Sequence, residues 1–151
     1  MTVVRDDHSI TTTSIAAAPS AVYAALTTER GLTGWWSARA EVGKRVGETI
    51  RFHWSGTDHT TMRIELHELD KRVRWTCVDQ WDRNLPEPDE WVGTAIQFDI
   101  APTDGGCDLT VTHEGLMNLA CGDACNLGWR NFMAGSLKPL VESGAGHPWT
   151  G

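Results

Sequence analysis

The residues of this chain that carry chemistry are few and dispersed. His113 interrupts an otherwise apolar strand series, Asp79 ends another, and four cysteines stand at Cys77, Cys107, Cys121 and Cys125. An imidazole and a carboxylate brought together in a cavity would serve as an acid–base pair, with His113 moving a proton and Asp79 assisting. The structural alternative for His113 is a hydrogen-bonded core histidine. Cys121 and Cys125 are four apart, so on a helix they face one side, where His113 or Asp123 would complete a metal-ligand set. Their spacing lacks the compact hook of a zinc site, and the expectation is therefore free, incidental thiols, no metal and no cofactor. No nucleophile, base and orienting group stand in a recognisable constellation. The segments around Gly43, Gly47 and Gly105-Gly106 lack the strand–loop–helix setting of a phosphate cradle and read as turns.

Eight tryptophans, at positions 35, 36, 54, 75, 81, 91, 129 and 149, against one tyrosine and three phenylalanines, are the strongest compositional skew. Each ring buries about 150–250 Å2 and offers one polar handle, which suits a bulky core and the lining of a cavity equally well.

The surrounding composition narrows the classes. A net charge of −7 and scattered basic residues disfavour phosphate backbones, so no nucleic-acid partner is expected. No apolar stretch approaches the about 20 residues that cross a bilayer. The first residues lack a basic start followed by an apolar run, so the expectation is a cytoplasmic protein without membrane insertion. At 151 residues the chain has the length of a single domain, 1–151.

These side chains are positioned by elements that periodicity predicts. Residues 8–15 read as a threonine-rich strand, and Ala18-Pro19-Ser20 opens a helix with Ala21, Val22, Ala25 and Leu26 as its stripe, ended by Gly31. A short helical turn around residues 32–36 follows. Ile50, Phe52 and Trp54 share one strand face, opposite Arg51 and His53. Met62, Ile64 and Leu66 repeat that pattern opposite Arg63, Glu65 and His67, which places His53 and His67 on the solvent side. Asp70-Lys71 reverses the chain into the inward series Val73, Trp75, Cys77, Asp79 and Trp81. An acidic loop over residues 82–93 precedes the inward series Ile96, Phe98, Ile100 and then Leu109, Val111, His113. The period changes to helical over residues 124–142, through Cys125, Trp129, Phe132, Met133 and Leu137.

An antiparallel sheet with one apolar face needs a cover, and the terminal helix is the long candidate. The predicted interior then holds Trp54, Trp75, Cys77, Trp81, Phe98, Val111, His113, Trp129, Phe132 and Met133, with Asn118 at its rim. Trp35 and Trp36 brace an edge. Trp91 and Trp149 fall in loop and tail.

The strings Ile15-Ala16-Ala17-Ala18-Pro19 with Ala21-Val22-Tyr23, then Leu32-Thr33-Gly34-Trp35-Trp36, then Gly47 with Phe52 and Trp54 occur in a telling order. Gly128-Trp129 with Phe132, Ser136-Leu137-Lys138 and Leu140 follow. In that order they resemble the START-like helix-grip (SRPBCC) superfamily, in the branch of the activator of Hsp90 ATPase homologues. The resemblance implies an α+β helix-grip fold of the START/Bet v 1 kind. In it a curved antiparallel sheet wraps a long C-terminal helix, with two short helices after the first strand, commonly around a hydrophobic cavity. Members include carriers, cyclases, dehydratases and small proteins without assigned activity. The leading expectation is a small hydrophobic or aromatic ligand in that cavity. The rival is a protein-interaction or co-chaperone-like module whose acidic loop and exposed Trp91 meet a chaperone or an identical subunit. A cyclase- or hydrolase-like enzyme using the same cavity is the third.

Overall fold

The computed structural model describes residues 7–151. Strand β1 (Ser9–Ile15) leads into α1 (Pro19–Thr27) and α2 (Glu29–Trp35). Six strands follow: β2 (Arg39–Val42), β3 (Thr49–His53), β4 (His59–Glu68), β5 (Arg72–Trp81), β6 (Ala95–Thr103) and β7 (Gly106–Glu114). They form one antiparallel sheet in the order β1-β7-β6-β5-β4-β3-β2. A 3-10 turn (Leu116–Asn118) connects to the terminal helix, which comprises α3 (Gly122–Phe132), a π turn (Met133–Leu137) and α4 (Lys138–Ser143). This is the helix-grip architecture, with the apolar faces of sheet and helices enclosing one core.

Pro19 starts α1 in its first turn, where its missing N–H costs no helical bond, and Val22, Ala25 and Leu26 bury the expected face. Gly31 does not end this helix. Thr28 ends it and caps α2, its hydroxyl accepting from the Gly31 N–H at 3.0 Å. Gly31 lies at the α1–α2 contact, where a Cβ would sit 2.5 Å from Ala25 Cα and 2.6 Å from the Ala24 carbonyl oxygen. The glycine is there for close approach.

Two bulges on the β4–β5 ladder reset the alternation on which the inward series depended. Thr61 pairs with Asp79 and Met62 with Cys77, so Val78 is the extra residue on β5. Beyond it Val78, Asp79 and Trp81 are exposed and Gln80 is buried. The predicted inward placement of Asp79 and Trp81 is thereby corrected: one inserted residue exchanges the two faces. The second bulge, at Glu65, turns His67 from the solvent side toward α1, where its ring meets Tyr23 edge-on at 6.2 Å. Burial lowers the His67 pKa.

The terminal helix begins two residues before the expected 124 and ends one after 142. Its π turn ends two residues before Pro139, which has no N–H to offer the Gly135 carbonyl, so the local change of register falls where a regular helix would lose a bond. Ser136 within that turn donates to the Trp35 carbonyl at 2.6 Å and accepts from the His147 N–H at 2.8 Å. The C-terminal segment is then pinned to the α2 end: Trp149 N–H donates to the Trp36 carbonyl and Ala38 N–H to the Trp149 carbonyl. Trp149 is thus held in place and does not belong to a loose tail.

Candidate functional site

The floor of the site is built around Trp36, which the sequence places at an edge and the fold places at the centre. It is 3% exposed. Trp35 lies face-on to it at 5.5 Å, Trp75 at 6.1 Å and Trp91 at 6.3 Å, while Phe52 at 4.4 Å, Trp129 at 5.3 Å and Trp54 at 5.7 Å meet it obliquely. Above this cluster opens a cleft of about 410 Å3 between β4–β5, the loop after β5, α3 and the C-terminal segment. Trp36, Trp54, Trp91, Trp129 and Trp149 line it, joined by Phe132 and Leu85. Its polar groups are few: Thr60, Gln80, Asp82 and Asn84.

Each polar group is held by the fold. Trp54 Nε1 and Gln80 Nε2 both reach Thr60 Oγ1, at 3.0 and 3.3 Å, while Gln80 Oε1 accepts the Trp91 backbone N–H at 2.9 Å. Gln80 is therefore the clamp that brings the loop's tryptophan onto the body. Asp82 accepts from the Asn84 N–H at 2.9 Å. Burial raises its carboxyl pKa and the Asp58 charge adds to the rise, against the Asn84 hydrogen bond and Arg83. The fully buried Asp58 carboxylate in turn accepts from Arg83 Nε at 3.1 Å and from the Arg83 backbone N–H at 3.3 Å. The loop is anchored at both ends.

His113 is fully buried behind the cleft wall. Its Nδ1 accepts from Trp129 Nε1 at 3.1 Å. Its Nε2 lies 2.8 Å from Thr94 Oγ1, whose own hydroxyl donates to the Trp91 carbonyl at 2.7 Å. That network assigns the ring proton to Nε2. Burial drives the His113 pKa down to about 3, so the ring is neutral. The Trp91 ring meets it edge-on at 4.7 Å and Trp129 at 6.0 Å. His113 thus positions both wall tryptophans through one side chain.

The expected acid–base pair is not assembled. Asp79 lies on the opposite face of the sheet, 2.9 Å from His59 Nε2 and 3.6 Å from Arg51. Of the residues expected around a cavity, Trp54, Trp129 and Phe132 line the cleft. Trp75, Cys77, Phe98, Val111 and Met133 are closed core beneath or beside it. Trp81 points outward, 52% exposed. Asn118 is exposed too, its amide donating to Asp7 at 3.3 Å, because the 3-10 turn carries it away from the cleft. Trp91, expected exposed, is half-buried in the wall. Sequence reasoning missed Gln80, Asp82 and the central place of Trp36. One signal was available for Trp91, since a lone indole in a polar, acidic loop has apolar area to bury only against the body. Among the described residues no group of three or more His, Cys, Asp or Glu is placed to hold a metal ion, which removes the third ligand weighed for Cys121 and Cys125. No helix of the described residues is long and apolar enough to cross a membrane.

Residues 16–142 match the sequence model of the family described as activator of Hsp90 ATPase homolog 1-like protein. The chain belongs to this family. Among solved structures, the Aha1 dimer from Colwellia psychrerythraea is 29% identical with a TM-score of 0.77, over 92% of this chain and 98% of that one. A protein from Chromobacterium violaceum is 23% identical with a TM-score of 0.73, over 90% and 97% of the two chains. An AHSA1-like protein from Aeromonas hydrophila, 16% identical with a TM-score of 0.65 over 83% and 86%, shares the fold. Comparison with curated proteins gives no match. In this AHSA1-like chain the cavity-forming module is present, with tryptophan walls and the Gln80 clamp at its cleft.

Proposed function

We propose that this AHSA1-like domain binds a small, mostly apolar molecule with a flat or aromatic body, and that it does so in a cytoplasmic setting. The observation that carries the reading is a cleft of about 410 Å3 on which five tryptophans converge, with Gln80 and Asp82 as sparse polar groups. A volume of that order, apolar walls and a few oriented polar groups are what a small-molecule site requires. Indole faces favour an offset-stacked ring, and a raised carboxyl such as Asp82 favours a ligand that offers a hydroxyl or amine to it. An acid–base role for His113 has no support in this geometry, because both ring nitrogens are already engaged within the wall.

The test uses the cleft's own fluorophores. Titration with anilinonaphthalene sulfonate and a panel of aromatic acids, phenols and flat polyketide-like compounds is expected to quench tryptophan emission saturably. Replacing Phe132 with alanine is expected to weaken binding about tenfold, the order expected for losing one aromatic contact. Absence of saturable quenching by every probe, with no co-purifying molecule in native mass spectrometry, overturns the reading.

A second reading is association of identical subunits, favoured by one observation: the Colwellia relative is a dimer. Light scattering coupled to size exclusion decides it, a monomer at micromolar concentration counting against.

A further inference from the structure

Cys121 and Cys125 stand at the start of α3, one helical turn apart, a spacing that places Cβ atoms within about 5–6 Å of each other. Their sulfurs lie 2.7 Å apart. Cys121 is buried, and its backbone N–H donates to Glu90 Oε1 at 2.8 Å, which ties the helix start to the loop after β5. Cys125 is half-buried and lines the cleft. The buried Trp91 indole N–H, in the same wall of the cleft, has no hydrogen-bond partner. The hydrogen bond between the two sulfurs lowers the Cys125 pKa, against burial and the charges of Glu90 and Asp82, and raises that of Cys121 together with burial. The remaining thiols are of a different kind: burial pushes Cys77 up to about 12 and raises Cys107. Reactivity follows a lowered thiol pKa and access, and of the four cysteines Cys125 is the one that combines a lowered pKa with a place on the cleft wall.

We propose that Cys121 and Cys125 form a redox-active dithiol site opening on the cleft, with Cys125 the attacking sulfur, Cys121 the resolving thiol, and a small apolar hydroperoxide as substrate. The choice of an apolar substrate rests on the cleft reading above. In the first step the Cys125 sulfur attacks the terminal oxygen of the hydroperoxide. A sulfur–oxygen bond forms, the oxygen–oxygen bond breaks, and the alkoxide leaves as alcohol with the proton given up by the Cys125 thiol. In the second step Cys121 sulfur displaces hydroxide from the Cys125 sulfenic acid, and the Cys121 proton leaves with it as water. The dithiol is oxidised by two electrons, and the hydroperoxide is reduced to alcohol and water. A low-molecular-weight thiol returns the pair to the reduced state by exchange.

The test is carried out on the whole, reduced protein. It is exposed to cumene hydroperoxide or to hydrogen peroxide, quenched with iodoacetamide, and read by intact mass and fragment mapping. The expected result is loss of two hydrogens localised to Cys121 and Cys125, with Cys77 and Cys107 alkylated and dithiothreitol restoring the pair. Relative to free cysteine, cumene hydroperoxide is expected to gain more rate than hydrogen peroxide. Cys121→Ser should stop at a sulfenic acid on Cys125 that dimedone traps, and Cys125→Ser should lose the fast reaction. First oxidation at Cys77 or Cys107, cross-links between chains, or rates no faster than free cysteine overturn the proposal in the unmodified protein, independent of how any variant folds. Binding of anilinonaphthalene sulfonate with an inert dithiol sinks the thiol proposal alone. Disulfide formation by hydrogen peroxide only, without dye binding, overturns the apolar substrate and the cleft reading together.

Discussion

Both nitrogens of His113 are occupied, Nδ1 by the Trp129 indole and Nε2 by the Thr94 hydroxyl, so protonating the ring forces Nδ1 to give up its donor. The pKa near 3 follows from that burial. Between that value and the about 6.5 of an exposed histidine, the unfolded chain binds a proton that the folded chain refuses, so stability falls as pH is lowered through this window. Urea unfolding at a series of pH values is expected to show a slope approaching about 1.4 kcal/mol per pH unit from this residue, with the half-buried His67 adding in the same direction. In His113→Phe that slope shrinks, while neutral-pH stability drops by about 1–3 kcal/mol because Trp129 Nε1 loses its acceptor. A slope unchanged by the substitution would refute this account. The strand pattern placed His113 inward and admitted a hydrogen-bonded core histidine, but it did not name the partners. The partners come from residues 94 and 129, which only the closed fold delivers to it.

At the scale of elements, the bulge at Val78 decides what the site contains, since it sends Asp79 and Trp81 out and brings Gln80 in. Removing the Gln80 amide by substitution with alanine leaves the Trp91 backbone N–H without its acceptor. The expected cost is about 1–3 kcal/mol, and hydrogen exchange at the Trp91 amide should accelerate while strand amides of β6 and β7 keep their protection. The helix pair carries its own test. Gly31→Ala pushes a methyl into the Ala24–Ala25 backbone, and overpacking of this kind costs about 1–3 kcal/mol in a thermal or denaturant melt. A neutral result would mean that α1 and α2 separate easily. Period-two patterning located the strands because one face of each is buried. It carried no mark of the inserted residue, because a bulge is stabilised by pairing with a neighbour and leaves no compositional trace.

For the molecule as a whole, the cleft joins segments as far apart as Trp36 and Trp149, and the rim exists because the C-terminal segment pairs with the end of α2. Trp149 is 42% exposed, so its indole contributes more to the cleft than to the core. Trp149→Ala is therefore expected to reduce dye or ligand affinity several-fold while changing the melting temperature little, as measured by fluorescence titration beside calorimetry. A large loss of stability would instead make the C-terminal segment a structural strap.

The amino-acid sequence by itself determined the element order, the antiparallel sheet and its terminal helix, and the superfamily they belong to. The elements rest on local hydrophobic periodicity and turn residues, which act within a few positions of the chain, whereas the superfamily came from the resemblance of its ordered motif strings. Which indoles became core and which became wall was decided only by tertiary structure. Trp75 and Trp81 have equivalent places in the pattern of β5, yet one is fully buried and the other exposed, because the ladder with β4 slips by a residue between them. Trp36 and Trp91 show the same dependence, drawn to one another and to Trp129 by segments distant in sequence. A side chain's periodicity reports the face it occupies, whereas the environment it meets is set by whatever the rest of the fold packs against that face.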